Sequence, residues 1–182
     1  MKNNQVQHIL TPVTLNSVKV EPTPSFAQIL EKETNQRIKD QYTSHLIFGL
    51  DYTYIFNNQD VRFLKDFFYF KANIQSSGNL ISLLNNTSLV KTIDNYHEIF
   101  GIRYAQFARL SLDFRYFKYI IGENQIATRF MIGAGIPYGN SNDMPFEKSF
   151  YAGGTNGMRG WAFRELGPGS FNNPQNLNIE RI

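Results

Sequence analysis

The chain has 182 residues, enough for one domain with its own core, and its 16 Phe and 10 Tyr make it 15% aromatic at a mean hydropathy of only −0.35. No apolar run reaches the roughly eighteen residues of a membrane-crossing helix. The net charge of +3 is spread without a basic stripe and cysteine is absent, so helical membrane spans, disulfides and thiolate metal sites are excluded and nothing points to nucleic acid.

The first sixteen residues are polar and carry no apolar segment of the kind a signal peptide needs. A weak strand is expected over 11–20, followed by a helix over 25–39 that reads as a loop insertion. Residues 46–56 then alternate with period two, with Leu46, Phe48, Leu50, Tyr52, Tyr54 and Phe56 on one face and Gly49, Asp51 and Thr53 on the other. The same pattern returns over 68–74, where Phe68, Phe70, Ala72 and Ile74 oppose Tyr69, Lys71 and Asn73. It returns over 102–116, where Ile102, Tyr104, Gln106, Ala108, Leu110, Leu112, Phe114 and Tyr116 oppose Arg103, Arg109, Ser111, Asp113 and Arg115. It returns again over 125–136, where Ile126, Thr128, Phe130, Ile132, Ala134 and Ile136 oppose Gln125, Ala127, Arg129, Met131, Gly133 and Gly135. A last strand begins near Asn176 and is cut off at Ile182, which suggests a fragment of a longer chain.

Connection lengths separate the possible β architectures. They are long over 21–42, short near 57–60, long over 76–98 with a helical piece at 80–84, short near 122–124, and long over 137–175. Strict alternation of long and short connections is expected of a transmembrane barrel, with turns on one side of the membrane and loops on the other. A soluble sandwich has no reason to segregate its loops, although its strands also alternate. The expected fold is therefore all-β: part of a transmembrane antiparallel up-and-down barrel, one domain over 1–182, with the helical insertion in an outer loop.

Catalysis is not expected. His8, His45 and His97 lie in separate segments without metal-ligand spacing. The glycines at 133, 135 and 139 do not make a dinucleotide fingerprint, because Pro137 interrupts them and no helix follows. Neither a metal nor a cofactor is called for. On the polar strand face Arg103, Arg109, Asp113, Arg115 and Arg129 form either a solvated wall with local ion pairs or a basic surface for the loop or a passing chain. Gly133 and Gly135 share that face, where small residues let a loop approach or simply narrow the strand.

The most informative stretch is 150–171, FYAGGTNGMRGWAFRELGPGSF, with six glycines around Arg159-Gly160-Trp161. It is too rich in glycine for a helix and too aromatic for a disordered linker, so it reads as a long loop folded against something. An arginine in a confined lumen needs a carboxylate partner, and its planar fork makes a directional lock. Arg159 is thus expected to tie the loop to the wall.

Residues 137–171 resemble the sixth outer loop of the BamA/TamA barrels, the bacterial surface antigen family. An aromatic lead precedes Gly153-Gly154, then comes the tetrad Met158-Arg159-Gly160-Trp161, then Gly167-Pro168-Gly169. With Pro137-Tyr138-Gly139-Asn140-Ser141 ahead of it, the stretch looks closest to the TamL lipoprotein branch. Two departures are Asn156-Gly157 in place of Asn-Ser, and Asn172-Asn173-Pro174 in place of a glycine-rich run.

The resemblance implies a bacterial outer-membrane barrel of sixteen strands, of which about six are present, that assembles or translocates other outer-membrane proteins. It implies a lumen-inserting loop over about 138–175 and an acidic partner for Arg159 beyond Ile182. It further implies a lateral gate made by absent end strands, and as partners the membrane lipids, client outer-membrane proteins and an inner-membrane TamB-like protein reached through periplasmic domains. A passive porin-like channel and a barrel appended to a patatin-type phospholipase stay open as alternatives, as does a soluble β-sandwich binding module.

Overall fold

The computed structural model describes residues 5–34, 39–40, 42–85, 87, 89–93, 96–122, 124–155 and 157–162. The chain divides into two compact units, one of Met1–Val18 with Ser44–Met144 and the other of Lys19–Thr43 with Pro145–Ile182.

The first unit is a sheet. Its strands are β1 (Val6–Val18), β2 (His45–Asn57), β3 (Phe67–Ser77), β4 (Val90–Ile93), β5 (Tyr96–Ile99), β6 (Ile102–Tyr104), β7 (Phe107–Tyr119) and β8 (Gln125–Pro137). Five long strands pair antiparallel in the spatial order β1-β2-β3-β7-β8, leaving β1 and β8 as edges among the described residues. Neighbours in this order are joined at one end by the connections 58–66 and 120–124, called here the turn end, and at the other by longer segments, the loop end.

The register sorts side chains by chemistry. On one face Tyr52–Ile74–Leu110–Ala134, Tyr54–Ala72–Leu112–Ile132 and Phe56–Phe70–Phe114–Phe130 run across the sheet as rows. Phe70 and Phe114 lie 4.6 Å apart by ring centroid. On the other face Thr53–Asn73–Ser111–Gly133 and Asp51–Gln75–Arg109–Gly135 form the corresponding rows. Soluble proteins cover the apolar face of a sheet; here Leu110 is 41% exposed and Phe130 62%, while Asp113 and Gln75 on the polar face are buried. The apolar face is the open one.

Among the described residues the buried apolar clusters lie at the loop end, while at the turn end Phe67 is buried and stacked on Phe117, 4.3 Å by ring centroid. Ile47, Ala105 and Phe107 form one cluster with Met144 against it, and Ile81, Ile99 and Tyr104 form another with Leu46 and Phe48. Both depend on an interruption of the third alternating segment. The strand expected over 102–116 breaks at Ala105–Gln106. The piece before the break, β6, pairs in parallel with β2 (His45↔Arg103, Leu46↔Tyr104) and antiparallel with β5. Since β1 occupies the other edge of β2 up to the Val18↔His45 pair, β6 fills the slot beside β2 beyond the end of β3. The expected loop over 76–98 therefore contains a hairpin, β4–β5, as well as a short helix at Asn79–Ser82. Arg103, placed on the polar face by periodicity, belongs instead to this rim.

Two further corrections concern the connections. The turn expected near 57–60 extends over 58–66, because Asp66 is held by the next strand pair: its carboxylate accepts from the Tyr119 N–H at 2.9 Å and from the Tyr116 hydroxyl at 3.0 Å. In the second unit the helix expected over 25–39 spans Pro24–Lys32, with Pro24 in its first turn and Glu33 already extended. Thr34 and Asn35 favour turns over helix interiors, so its end is local chemistry. In that unit Phe26 packs edge-on against Tyr42, which in turn lies 5.8 Å from Phe146 by ring centroid.

Candidate functional site

The expected site has three parts: the polar strand face, the root of the long loop after β8, and its glycine-rich tip. On the polar face Asp113 receives two forked arginines. Arg115 donates from Nε at 3.1 Å and from Nη2 at 2.7 Å, and Arg129 donates from Nε at 3.1 Å and from Nη2 at 2.8 Å. Arg115 and Arg129 are register partners on β7 and β8, which brings both forks to one carboxylate. Lys71 is the register partner of Asp113 on β3. Three cationic residues thus gather around one acid, and the two guanidiniums are about 38–39% exposed against 12% for the carboxylate. Nearer the loop end Asn73 Nδ2 donates to Asp51 Oδ1 at 2.8 Å and to Thr53 Oγ1 at 2.9 Å. Arg109 stands in the row above, between Gln75 and Gly135.

Gly135 has a steric role. A Cβ there would meet the Met144 side chain at 3.0 Å from Cε and 3.2 Å from Sδ. The chain leaving β8 therefore turns back over Gly135. Gly133 lies one row further from the loop end, opposite Ser111.

The loop root is fixed by residues that sequence reasoning did not single out for this role. Asn140 is buried. Its Oδ1 accepts from the His97 N–H at 2.6 Å, and its Nδ2 donates to the carbonyls of His97 at 2.8 Å and Tyr104 at 2.9 Å. Its own N–H donates to Gln106 Oε1 at 3.0 Å, and its carbonyl accepts from Arg103 Nε at 3.2 Å and Nη2 at 3.0 Å. Arg103 is also stacked over the Tyr96 ring, its Cζ 3.4 Å from the centroid. Ser141 Oγ accepts from the Gln106 N–H at 2.8 Å, and the Tyr138 hydroxyl donates to Asn79 Oδ1 at 2.8 Å. One asparagine thereby pins the root to the β5–β6 rim and to the break between β6 and β7. Gly139 makes the turn possible: its φ is +58°, and a Cβ would lie 2.2 Å from Gln106 Oε1.

The tip is built differently. Gly153 and Gly154 both have positive φ, 98° and 81°. The Gly154 N–H donates to the Trp161 carbonyl at 2.9 Å, the Gly157 N–H to the Gly154 carbonyl at 3.1 Å, and the Trp161 N–H to the Met158 carbonyl at 3.1 Å. The tetrad is thus a closed backbone turn. Met158, Arg159, Gly160 and Trp161 are all exposed, and among the described residues no carboxylate pairs with Arg159. Gly167, Pro168 and Gly169 lie outside the described residues, as does the strand expected near Asn176.

A sheet with an open apolar face, a polar face carrying ion pairs, and long connections segregated at one end defines a β-wall protein of the kind found in barrel families. The chain belongs to the Omp85 superfamily, whose domain it matches over residues 9–177. This is a family of outer-membrane factors for protein assembly and transport. No curated protein and no solved structure shows significant similarity to the chain.

Proposed function

We propose that the sheet is a section of a transmembrane barrel wall in the bacterial outer membrane, and that the protein inserts or exports client outer-membrane proteins. The observation that carries this reading is the inverted burial of the sheet. An exposed apolar face of this extent is an aggregation liability in water, whereas in a bilayer it is the ordinary outer surface of a barrel. β7 and β8 have 13 residues each, beyond the nine to eleven or so that a tilted spanning strand needs.

On this reading the polar face lines a wet lumen and the loop end is extracellular. The reaction is not covalent. Unpaired backbone groups at an opened seam, formed by strands outside this chain, template an incoming client strand. The tetrad loop would brace the lumen, Arg159 locking onto an acid further along the protein, so that the seam yields and the wall does not. The TamL-like branch, with a TamB-like partner, is the specific assignment that residues 137–171 support.

The test is Arg159→Ala beside Arg159→Lys in the full-length protein reconstituted in vesicles. Client insertion and protease resistance of the loop should both fall in Arg159→Ala, with Arg159→Lys restoring little, because a lone ammonium cannot reproduce a bidentate fork. Unchanged client insertion in both variants overturns the brace and favours a passive channel.

A further inference from the structure

The turn end carries an unusual surface. Connections between strands are normally polar, yet Val61 is 89% exposed, Ile121 77%, Leu64 61% and Phe63 55%. Ile120 is exposed as well. These residues come from the two connections 58–66 and 120–124, which are neighbours because β3 pairs with β7 through Phe67↔Phe117.

The surface is held in shape. Asp60 accepts from the Arg62 N–H at 3.1 Å, from its Nε at 3.0 Å and from its Nη2 at 2.8 Å. Asn58 Oδ1 accepts from the Phe68 N–H at 2.6 Å, and Asp66 bonds the Tyr119 N–H and the Tyr116 hydroxyl. Cations flank the aromatic: Lys65 Nζ is 5.0 Å and Arg62 Cζ 5.6 Å from the Phe63 centroid.

We propose that these two turns form an interfacial anchor that sits in the headgroup layer of the adjacent phospholipid leaflet. The proposal rests on the barrel reading above and adds a lipid-binding surface to it. Three features select headgroups over other occupants. The patch continues the exposed apolar face, whose last rows contain Phe68, Tyr116 and Ile126. Asp60, Arg62, Lys65 and Asp66 are interleaved with it, which suits the layer between water and hydrocarbon and rules out the bilayer centre. An aromatic ring beneath a guanidinium and an ammonium gives an apolar body with polar tips, the side-chain chemistry that partitions to that layer.

The native absence of cysteine allows a clean test. Val61→Cys, Ile121→Cys and, at the middle of the apolar face, Ile132→Cys are labelled with a nitroxide in the full-length protein, reconstituted in phosphatidylethanolamine–phosphatidylglycerol vesicles. Relaxation by oxygen, which concentrates in lipid, is compared with relaxation by a water-soluble nickel chelate. The anchor requires labels 61 and 121 to report a shallow depth between water and label 132, which should be deep. Labels 61 and 121 fully open to nickel, or shielded from both reagents by a protein segment, overturn the anchor while a deep label 132 leaves the barrel standing. A label 132 open to nickel overturns both.

Discussion

The root and the tip of the long connection after β8 are built on opposite principles. At the root, Asn140 is buried and every polar atom it owns is used, tying His97, Arg103, Tyr104 and Gln106 together. At the tip, among the described residues, backbone bonds close the turn, and Met158, Arg159 and Trp161 are left exposed. The contrast shows how a loop can depart from a sheet along a fixed line while its end keeps a full set of unspent recognition groups. Side-chain hydrogen bonds are committed where position matters, and backbone bonds alone suffice where side chains must stay available.

Asn140→Ala should break the comparison most. It leaves the His97 N–H and two carbonyls without their partner in a buried site, a loss of about 4 kcal/mol in the guanidinium unfolding of the detergent-folded protein. A loss below about 1 kcal/mol would mean that water replaces the amide and that the root is not a rigid anchor.

A matched pair of glycines sharpens it next. Gly139→Ala places a Cβ against Gln106 at a positive φ and should cost about 2 kcal/mol. Gly160→Ala in the tip meets nothing within 4 Å and should fall within about 0.5 kcal/mol of the parent in the same unfolding measurement. Similar costs at the two sites would erase the distinction.

The smallest effect belongs to the turn over 58–66, which, like the root, is closed by a side chain. The Arg62 hydrogen bonds hold the Asp60 carboxyl at about 2 against the ordinary 3.8. A lowered folded value stabilises the turn above pH 3.8 and loses that support as pH falls through about 2. Amide resonances of Arg62 and Phe63 should titrate in that window, and Asp60→Asn should remove the transition.

Much of this is legible in the sequence. The strands expected over 46–56, 68–74 and 125–136 stand within a few residues of β2, β3 and β8, because uninterrupted alternation along one strand is a local property. β1 looked weak and shorter because its pairing slips between Thr11 and Thr14: Val6, His8 and Leu10 share a face with Leu15 and Ser17, and the parity changes midway. The break at Ala105–Gln106 left only a short trace. Ala105, Gln106 and Phe107 reverse the alternation for three residues before it resumes in phase, and there the chain trades β2 for β3 as its partner. Period two reports which face a residue takes, never which neighbour it joins. The tetrad residues were legible as a motif, and the Asn140 anchor was not, since a lone asparagine after a glycine reads as an ordinary turn.

The parallel pairing of β6 with β2 also bears on the order of assembly. The hairpins β2–β3 and β7–β8 join segments close in sequence, whereas His45↔Arg103 closes a far longer stretch of chain. Closure entropy grows with that separation, so the rim is the costliest contact to reach and the natural last step of folding. A nascent wall could therefore zip strand by strand from its turns and seal its far margin only once both hairpins are in place.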